Sequence, residues 1–252
     1  MSEDGTNRDV RVAVFRPDDE RLAEAEALLD SLGAETVADP MLDVRPTGDA
    51  PAEGEYVILT SKTGVELAAE SGWDPGESVV CAIGSSTADV LEDHGYEVDI
   101  VPEEYTSAGL VAALEDEVEG VEVEVARSDH GSPVLTEGLA DAGADVHETI
   151  LYELVRPEDS GESALLAAEG DLDAATFTSS LTVAHFLEAA EERGVRDEAI
   201  AGLNEAVMGA IGEPTRETAE SEGIGVNVVP EVADFEKLAC EVVETAAPTY
   251  HE

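Results

Sequence analysis

The amino-acid sequence predicts an α/β fold built from two similar parallel-sheet domains. Short apolar runs alternate with amphipathic segments of helical length, and this alternation is typical of parallel sheets covered by helices on both faces. The same order of motifs also occurs twice along the 252 residues. Hydrophobic residues make up 43% of the chain and aromatic residues only 4%, so the predicted core consists mainly of small aliphatic side chains.

The internal duplication begins at the first predicted strand of each half. Residues 12–16 (VAVFR) read as a buried strand, and the helix after it ends at Gly33. Residues 123–127 (VEVAR) are followed by a shorter helix that ends at Gly143. Each half then contains an extended segment, and the two segments close on matching sequences, Val44-Arg45-Pro46 and Val155-Arg156-Pro157.

The duplication continues through the next strands and loops. Residues 56–61 (YVILTS) correspond to residues 174–179 (AATFTS), and an Ala-Ile-Gly sequence follows in each half. A threonine lies three residues after the glycine of each Ala-Ile-Gly sequence. Equal spacings then lead from Thr87 to Gly95, Pro102 and Leu110, and from Thr215 to Gly223, Pro230 and Leu238. Several matched spacings in series indicate that the chain arose by duplication.

The predicted helices begin and end with suitable residues. Thr106-Ser107 can cap a helix that contains Leu110, and Pro214 fits a first helical turn. A glycine stands where each of four helices is expected to stop, namely Gly33, Gly95, Gly143 and Gly223. The extended segments 36–46 and 145–157 have alternating patterns and are expected to pair as a two-stranded ladder that connects the halves.

The charge of the chain is strongly acidic. Sixty Asp and Glu residues stand against 12 Lys and Arg residues, and only Lys62 and Lys237 are lysines. A net charge of −48 opposes a compact fold in dilute salt, whereas at molar salt the Debye length falls to roughly 3 Å. We therefore interpret the chain as a cytoplasmic protein of a halophile. The lack of a basic stripe excludes nucleic-acid binding, and no apolar run approaches the roughly 18 residues of a membrane span.

The sequence contains no standard catalytic or metal-binding motif. Cys81 and Cys240 are far apart, and the five histidines, including the nearly terminal His251, are dispersed, so we expect no metal site. Walker, G-x-S-x-G, H-E-x-x-H and G-x-G-x-x-G motifs are missing. The sequence Ser128-Asp129-His130 has the residue types of a hydrolase triad, but neighbours in one loop rarely assemble a triad.

Polar loops after the predicted strands are the candidate binding elements. In parallel sheets, ligands bind beyond the carboxyl ends of strands, where free N–H groups of helix N-termini attract anions. Three kinds of loop recur in both halves: Thr60-Ser61 with Thr178-Ser179-Ser180, Gly84-Ser85-Ser86-Thr87 with Gly212-Glu213-Pro214-Thr215, and the loops after Arg16 and Arg127. The alternative is that these Ser, Thr and Gly residues only cap helices.

Taken in order, these motifs resemble uroporphyrinogen-III synthases across about residues 11–245. The resemblance is carried by residues 56–61, by Ile83-Gly84-x-x-Thr87, by Tyr152-Glu153, by residues 175–180 and by Ile211–Thr215. Family members usually have a Gly-Pro-Thr-Thr type of loop, whereas here Glu213 precedes Pro214.

The resemblance implies two flavodoxin-like domains, residues 1–35 plus 158–252 and residues 47–144, joined by the ladder with the active cleft between them. It implies a cofactor-free cyclising lyase that closes hydroxymethylbilane, inverts ring D and releases water. The chain would then be a monomer that receives its substrate from hydroxymethylbilane synthase, and its product would lead to haem, sirohaem or cobalamin. Two alternatives are a non-catalytic ligand-binding or sensory module of the same fold, and a nucleotide- or phosphate-binding flavodoxin-like enzyme.

The resemblance also implies the roles of individual residues. Tyr152 is the expected proton donor to the departing hydroxyl, although a tyrosine in a connecting strand more commonly packs in the core with its hydroxyl reaching water. Its counterpart in the other half is Met41. Arg16 and Arg127 either pair with substrate carboxylates or bind backbone carbonyls. The expected substrate contacts are Arg16, Thr60, Ser61, Gly84, Ser86, Thr87, Arg127, Ser128, Thr178, Ser179, Gly212 and Thr215.

Overall fold

The computed structural model describes residues 10–247 of the chain. The acidic start of the sequence and His251 lie outside the described residues. The chain divides into two compact units. The first unit combines the chain up to Asp43 with the chain from Val155 onward, and the second unit is the continuous segment Val44–Leu154.

The described residues form nine strands and ten helices. Up to the middle of the chain they are β1 Val10–Val14, α1 Glu20–Ser31, β2 Ala34–Ala38, β3 Asp43–Pro46, β4 Tyr56–Leu59, α2 Lys62–Glu70, β5 Val79–Ala82, α3 Ser85–Asp93 and α4 Ser107–Leu114. From there onward they are β6 Glu122–Ser128, α5 Pro133–Asp141, β7 Asp145–Val155, α6 Glu162–Glu169, β8 Ala174–Phe177, α7 Ser180–Glu192, α8 Arg196–Glu205, β9 Val207–Ala210, α9 Glu213–Ser221 and α10 Phe235–Ala246.

Each unit contains one sheet, and the two sheets share a strand order. The first unit has the order β2-β1-β8-β9, and the second has β3-β7-β6-β4-β5. All pairings along β2-β1-β8-β9 and β7-β6-β4-β5 are parallel. In this order β6 takes the place of β1 and β4 takes the place of β8, which are the correspondences that the sequence repeat predicts. The α/β fold with an internal duplication is therefore confirmed.

The last predicted strand of each half is reduced to a single bridge. Ile100 pairs only with Cys81, and Val228 pairs only with Gly209. In both places a side chain accepts the backbone N–H that would otherwise pair with a longer strand. The Asp99 carboxylate accepts the Val80 N–H at 2.8 Å, and the Asn227 side-chain amide oxygen accepts the Met208 N–H at 2.7 Å.

Segments 36–46 and 145–157, expected to pair with each other as a separate ladder, instead belong to the two sheets. Ala34–Ala38 pairs with β1 in the four-stranded sheet. The 11-residue strand β7 pairs with β6 over most of its length, and β3 lies on the other side of β7. Pairing between β3 and β7 is thus the part of the expected ladder that the structure contains, and it belongs to the five-stranded sheet.

The predicted helix ends are confirmed. The Thr106 hydroxyl caps α4 by accepting the Gly109 N–H at 3.0 Å, and Pro214 lies in the first turn of α9. The four glycines predicted at helix ends directly follow the C-cap residues of α1, α3, α5 and α9, two positions after the last helical residue. Their φ values lie between +75° and +93°, a region that residues with a Cβ rarely adopt.

Helices α6 and α8 have no counterpart in the sequence repeat. Helix α6 is capped by a residue far away in the sequence. The buried Asp39 carboxylate accepts the N–H groups of Gly161 at 2.7 Å and Ser163 at 2.8 Å. The two helices pack closely at Gly202 of α8, where a Cβ would overlap the Ala167 carbonyl oxygen of α6.

Apolar clusters cover both faces of each sheet. In the first unit, the Phe15 and Phe177 rings stack with centroids 4.6 Å apart, and Phe186 packs edge-on against Phe177. In the second unit, burial raises the pKa of the Cys81 thiol to about 12, so Cys81 behaves as the small buried hydrophobe that the sequence predicts. Within residues 10–247, none of the helices combines the length and apolar character required to cross a membrane.

We expect Gly202→Ala to destabilise the protein, although alanine is ordinarily the better helix former by about 1 kcal/mol. The added methyl group would force α8 away from the α6 backbone, and overpacking of this kind costs about 1–3 kcal/mol in free energy of unfolding. Denaturant unfolding in concentrated KCl measures the change.

Gly138→Ala in α5 is the comparison variant, because the methyl group there meets side-chain carbons of Val111, the nearest at 2.7 Å, rather than a backbone oxygen. We expect its loss of stability to be smaller. A Gly202→Ala protein as stable as the wild type would show that α6 and α8 pack less closely than described.

Candidate functional site

Polar residues of both sheets lie at the carboxyl edge, the edge at which the parallel strands end. In the second unit, the Ile83 N–H donates to the Leu59 carbonyl at 3.1 Å, which places the loop after β5 beside the loop after β4. In the first unit, the Ile211 N–H donates to the Phe177 carbonyl at 2.9 Å in the same way. Each unit therefore brings a Thr-Ser loop next to a Gly-x-x-Thr loop.

The serine of each Thr-Ser loop caps the following helix. The Ser61 Oγ accepts the Gly64 N–H of α2 at 3.0 Å. The Ser179 Oγ accepts the Thr182 N–H of α7 at 3.2 Å, and the Thr182 hydroxyl accepts the Ser179 N–H in return at 3.3 Å. Thr60 and Thr178 precede these caps and are half-buried. Capping thus accounts for the side-chain hydrogen bonds of Ser179 and for one of those of Ser61.

Ser61 has a second partner that its counterpart Ser179 lacks among the described residues. The Tyr152 hydroxyl of β7 donates to the Ser61 Oγ at 2.9 Å. The Tyr152 side chain is 6% exposed and packs in the apolar cluster with Val57 and Leu151. Since the Ser61 oxygen accepts hydrogen bonds from Tyr152 and Gly64, its own hydrogen is available to another acceptor.

The Tyr152 ring is therefore buried in the core, and its hydroxyl reaches the Thr-Ser loop that follows β4. Its counterpart Met41 is fully buried in the core of the first unit. The sequence could predict the tyrosine but not its partner, because the contact joins residues 91 positions apart.

The two Gly-x-x-Thr loops have nearly identical geometry. Gly84 precedes α3 with φ −172° and ψ 172°, and Gly212 precedes α9 with φ −171° and ψ 174°. No side chain caps either helix, so the first N–H groups of α3 remain available to an anion. The first turn of α9 offers the N–H groups of Glu213 and Thr215, because Pro214 has none. Thr87 and Thr215 are buried in the first turns, whereas Ser86 is exposed.

Tyr105 distinguishes the loop at Gly84 from its counterpart at Gly212. A Cβ at residue 84 would lie 3.0 Å from the Cβ and Cγ of Tyr105, whereas a Cβ at Gly212 would meet only Pro214 at 3.9 Å. The Tyr105 side chain is 60% exposed and therefore offers an aromatic surface beside the start of α3. Sequence reasoning missed this residue because a lone tyrosine before a helix carries no motif.

The loops after β8 and β9 are also joined by side chains. The Ser180 hydroxyl lies 3.1 Å from the Pro214 carbonyl oxygen and 2.8 Å from the Thr218 hydroxyl. These bonds connect the first turn of α7 to α9, so Ser179 and Gly212 are held in a fixed relation within the first unit.

Arg127 is committed to contacts within the protein. Its side chain is 8% exposed and forms an ion pair with Glu148. Its Nη1 donates to the Ser132 carbonyl at 2.5 Å, and Gly131 lies directly against its side chain. This geometry favours the expectation that Arg127 binds backbone carbonyls.

Arg16 occupies a more open position. Its guanidinium lies over the Phe235 ring at 4.4 Å and donates to the Arg21 carbonyl at 3.3 Å. Burial, followed by the charge of Arg21, lowers the pKa of Arg16. Arg16 borders a cavity that is also lined by Leu28, Ala233 and Phe235 and by three acidic residues, Glu24, Asp234 and Glu236.

The loop after β6 is tied to β7. Ser128 lies opposite Tyr152 in the strand register, and the Asp129 carboxylate accepts the Leu154 N–H at 3.0 Å. The His130 Nδ1 lies 2.9 Å from the same carboxylate oxygen. Burial opposes ionisation of Asp129, but the hydrogen bonds from His130 and Leu154 outweigh it and lower its pKa. The acid thus holds the loop in place.

Comparison with known proteins identifies the family. The family model for uroporphyrinogen-III synthase (HemD) matches residues 23–240. A protein of Methanothermobacter thermautotrophicus that is assigned as a uroporphyrinogen-III synthase is 36% identical over 87% of this chain and 92% of its own length. The uroporphyrinogen-III synthase of Chlorobaculum parvum is 26% identical over 86% of this chain and 91% of its own length.

The fold agrees with this assignment. A crystal structure of a mutant uroporphyrinogen III synthase from the extremely thermophilic bacterium Thermus thermophilus superposes with a TM-score of 0.67 at 18% identity. The match covers 94% of this chain and 98% of that chain. The chain therefore belongs to the uroporphyrinogen-III synthase family, the cyclising lyases of tetrapyrrole biosynthesis.

Proposed function

We propose that this chain converts hydroxymethylbilane into uroporphyrinogen III. Family membership supports the reaction, and the hydrogen bond between Tyr152 and Ser61 is the structural observation that carries the chemistry. This bond places two hydroxyl groups in series at the N-terminus of α2, where a leaving hydroxyl group can be protonated.

The reaction needs one proton at its start and releases one at its end. Protonation of the substrate hydroxyl breaks the C–O bond, releases water and leaves a protonated azafulvene cation. The substituted carbon of ring D attacks this cation to give a cationic spiro intermediate. Cleavage of the bond between ring D and its neighbour, followed by closure at the other ring carbon and loss of a proton, gives the inverted ring. The net change is the loss of water.

Tyr152 supplies the proton through Ser61 in this proposal. The Tyr152 ring is buried and its O–H already points to the Ser61 oxygen, so Ser61 is the group closer to solvent. Ser61 donates its own hydrogen to the departing hydroxyl and receives the Tyr152 proton in the same step. The proton lost at ring closure restores the tyrosine.

The remaining loop residues bind and orient the substrate. Without enzyme the same substrate closes to the type I isomer, so the main task is to hold the chain ends in one geometry. We assign the substrate carboxylates to the free N–H groups that follow Gly84 and Gly212, and a pyrrole face to the exposed ring of Tyr105. Further contacts are assigned to Thr60, Ser86, Thr87, Ser128, Thr178, Ser179 and Thr215.

The two arginines receive different roles. Arg16 is assigned to a substrate carboxylate, because its guanidinium borders an open cavity. Arg127 is assigned to positioning, because Glu148 and the Ser132 carbonyl occupy it. In this role Arg127 holds the loop that follows β6.

The net charge of −48 supports a halophilic, cytoplasmic setting. Molar salt screens repulsion between the acidic surface and a polyanionic substrate. We further propose that the chain acts as a monomer and takes hydroxymethylbilane directly from hydroxymethylbilane synthase, since spontaneous closure competes with turnover. The uroporphyrinogen III would serve haem, sirohaem or cobalamin synthesis.

Incubation of the purified protein with fresh hydroxymethylbilane in about 2–3 M KCl, a concentration chosen for nearly complete screening, tests the reaction. The oxidised products are separated by isomer, and we expect type III in excess of a control without protein. Type I alone, from protein shown to be folded by circular dichroism, would instead support the non-catalytic binding module.

We expect Tyr152→Phe to lower kcat by about 10–100-fold without abolishing turnover, because water can replace one proton donor in part. The KM should change little, since the phenol lies beneath the surface. Tyr96→Phe is the matched control. It removes a hydroxyl of the same unit that donates to the Trp73 carbonyl at 3.0 Å, and its kcat should equal that of the wild type.

Unchanged kinetics in Tyr152→Phe would remove the residue from the mechanism. Ser61→Ala separates the relay from direct donation by Tyr152. A loss of kcat as large as that of Tyr152→Phe supports the relay, whereas a much smaller loss assigns the donor role to Tyr152 alone.

The KM for hydroxymethylbilane should fall as KCl rises from about 0.5 to 3 M, because the screening length shrinks to a few ångströms while local N–H contacts persist. Steady-state kinetics across this series, with circular dichroism at each concentration, measures the effect. A KM that rises with salt in folded protein would contradict the screening argument.

A further inference from the structure

Four side chains with metal-ligating atoms form a block on one face of the five-stranded sheet. Glu122 and Glu124 belong to β6, and Asp145 and His147 belong to β7. The strand register pairs Glu122 with Asp145 and Glu124 with His147. Residues opposite each other on parallel strands, and residues two apart on one strand, point to the same face. The block lies where both strands begin, at the end opposite the carboxyl edge.

Three members of the block already lie close enough to share an ion. The ligand atoms of Glu122, Asp145 and His147 are all within 4.8 Å of one another, and all three residues are exposed. Small rotations of these side chains can bring one imidazole nitrogen and two carboxylate oxygens to bonding distances of about 2.0–2.3 Å.

The fourth member, Glu124, is a buried carboxylate without a hydrogen bond. The residue is 1% exposed, and neither carboxylate oxygen has a partner among the described residues. Its lateral neighbours on the sheet are Val57 on β4 and His147 on β7. Gly54, two residues before β4, packs against Glu124, since a Cβ at residue 54 would lie 3.3 Å from the Glu124 Cβ. The Glu124 carboxylate is not part of the group of ligand atoms that lie within 4.8 Å of one another. Burial of an unsatisfied carboxylate is costly, and rotation of the Glu124 side chain toward His147 would let a shared cation remove that cost.

We propose that Glu122, Glu124, Asp145 and His147 bind one divalent transition-metal ion of the Mn²⁺ or Zn²⁺ class. One imidazole nitrogen combined with carboxylate oxygens suits such ions better than Mg²⁺, which prefers oxygen ligands and water. The ion would connect the first residues of β6 and β7 and stabilise their pairing. The site is independent of the proposed synthase reaction.

Mn²⁺ titration of the full-length protein, followed by loss of the free-ion electron paramagnetic resonance signal, tests the site. KCl at about 2–3 M suppresses diffuse binding of cations to the acidic surface. We expect one saturable site in the wild type and at least about tenfold weaker binding in His147→Ala, because one of four ligands is removed. His94→Ala, which removes an exposed histidine of the same unit, should bind Mn²⁺ as the wild type does.

Glu124→Gln keeps the shape of the buried side chain and removes one ligand charge, so it should weaken Mn²⁺ binding by at least about tenfold as well. Glu122→Gln serves as the exposed variant if Glu124→Gln fails to fold. Mn²⁺ should also raise the melting temperature of the wild type and not that of His147→Ala. The proposal is overturned if the wild type shows no saturable site, or if His147→Ala or Glu124→Gln loses less than about threefold in affinity.

Discussion

Backbone hydrogen bonds between parallel strands fix the position of nearly every candidate contact residue in this chain. In both units the strand that carries a Thr-Ser loop pairs with the strand that carries a Gly-x-x-Thr loop. Parallel pairing makes both strands end at the same edge, so two helix N-termini meet there. Ser61 with Gly84, and Ser179 with Gly212, are consequences of this one constraint. Because the sequence is duplicated, the same parallel pairing occurs in both sheets. Each sheet therefore has the same kind of polar edge.

The acidic composition restricts how such an edge can bind a polyanion. Only 12 basic residues face 60 acidic ones, and Arg127 is already paired with Glu148. In the proposed binding mode, attraction therefore comes mainly from backbone dipoles, with Arg16 as the one arginine assigned to a substrate carboxylate. The uncapped first turns of α3 and α9 provide N–H groups that act over short distances, and salt screens the long-range repulsion more effectively than it screens these local contacts.

Buried polar groups separate structural roles from binding roles. The Asp39 carboxylate is buried, and it accepts two backbone N–H groups at the start of α6, so its function is to cap that helix. Glu124 is equally buried but has no partner of this kind among the described residues. Tyr152 is intermediate, because its single hydrogen bond ends on an oxygen that is itself the cap of α2. Folding alone explains Asp39, whereas the roles proposed for Glu124 and Tyr152 involve a bound metal ion and a bound substrate.

The sequence by itself determined the α/β class, the duplication and the local geometry of the helix ends. Thr106, Pro214 and the glycines at helix ends act through neighbouring backbone, so residue type and spacing were sufficient to predict them. The tertiary structure alone decided contacts between distant segments, including Tyr152 with Ser61 and Gly84 with Tyr105. It also decided that Arg127 is paired while Arg16 is open, and that His147 lies beside Glu124. Such contacts depend on strand order and register, which arise from the packing of the whole sheet and leave no local pattern in the sequence.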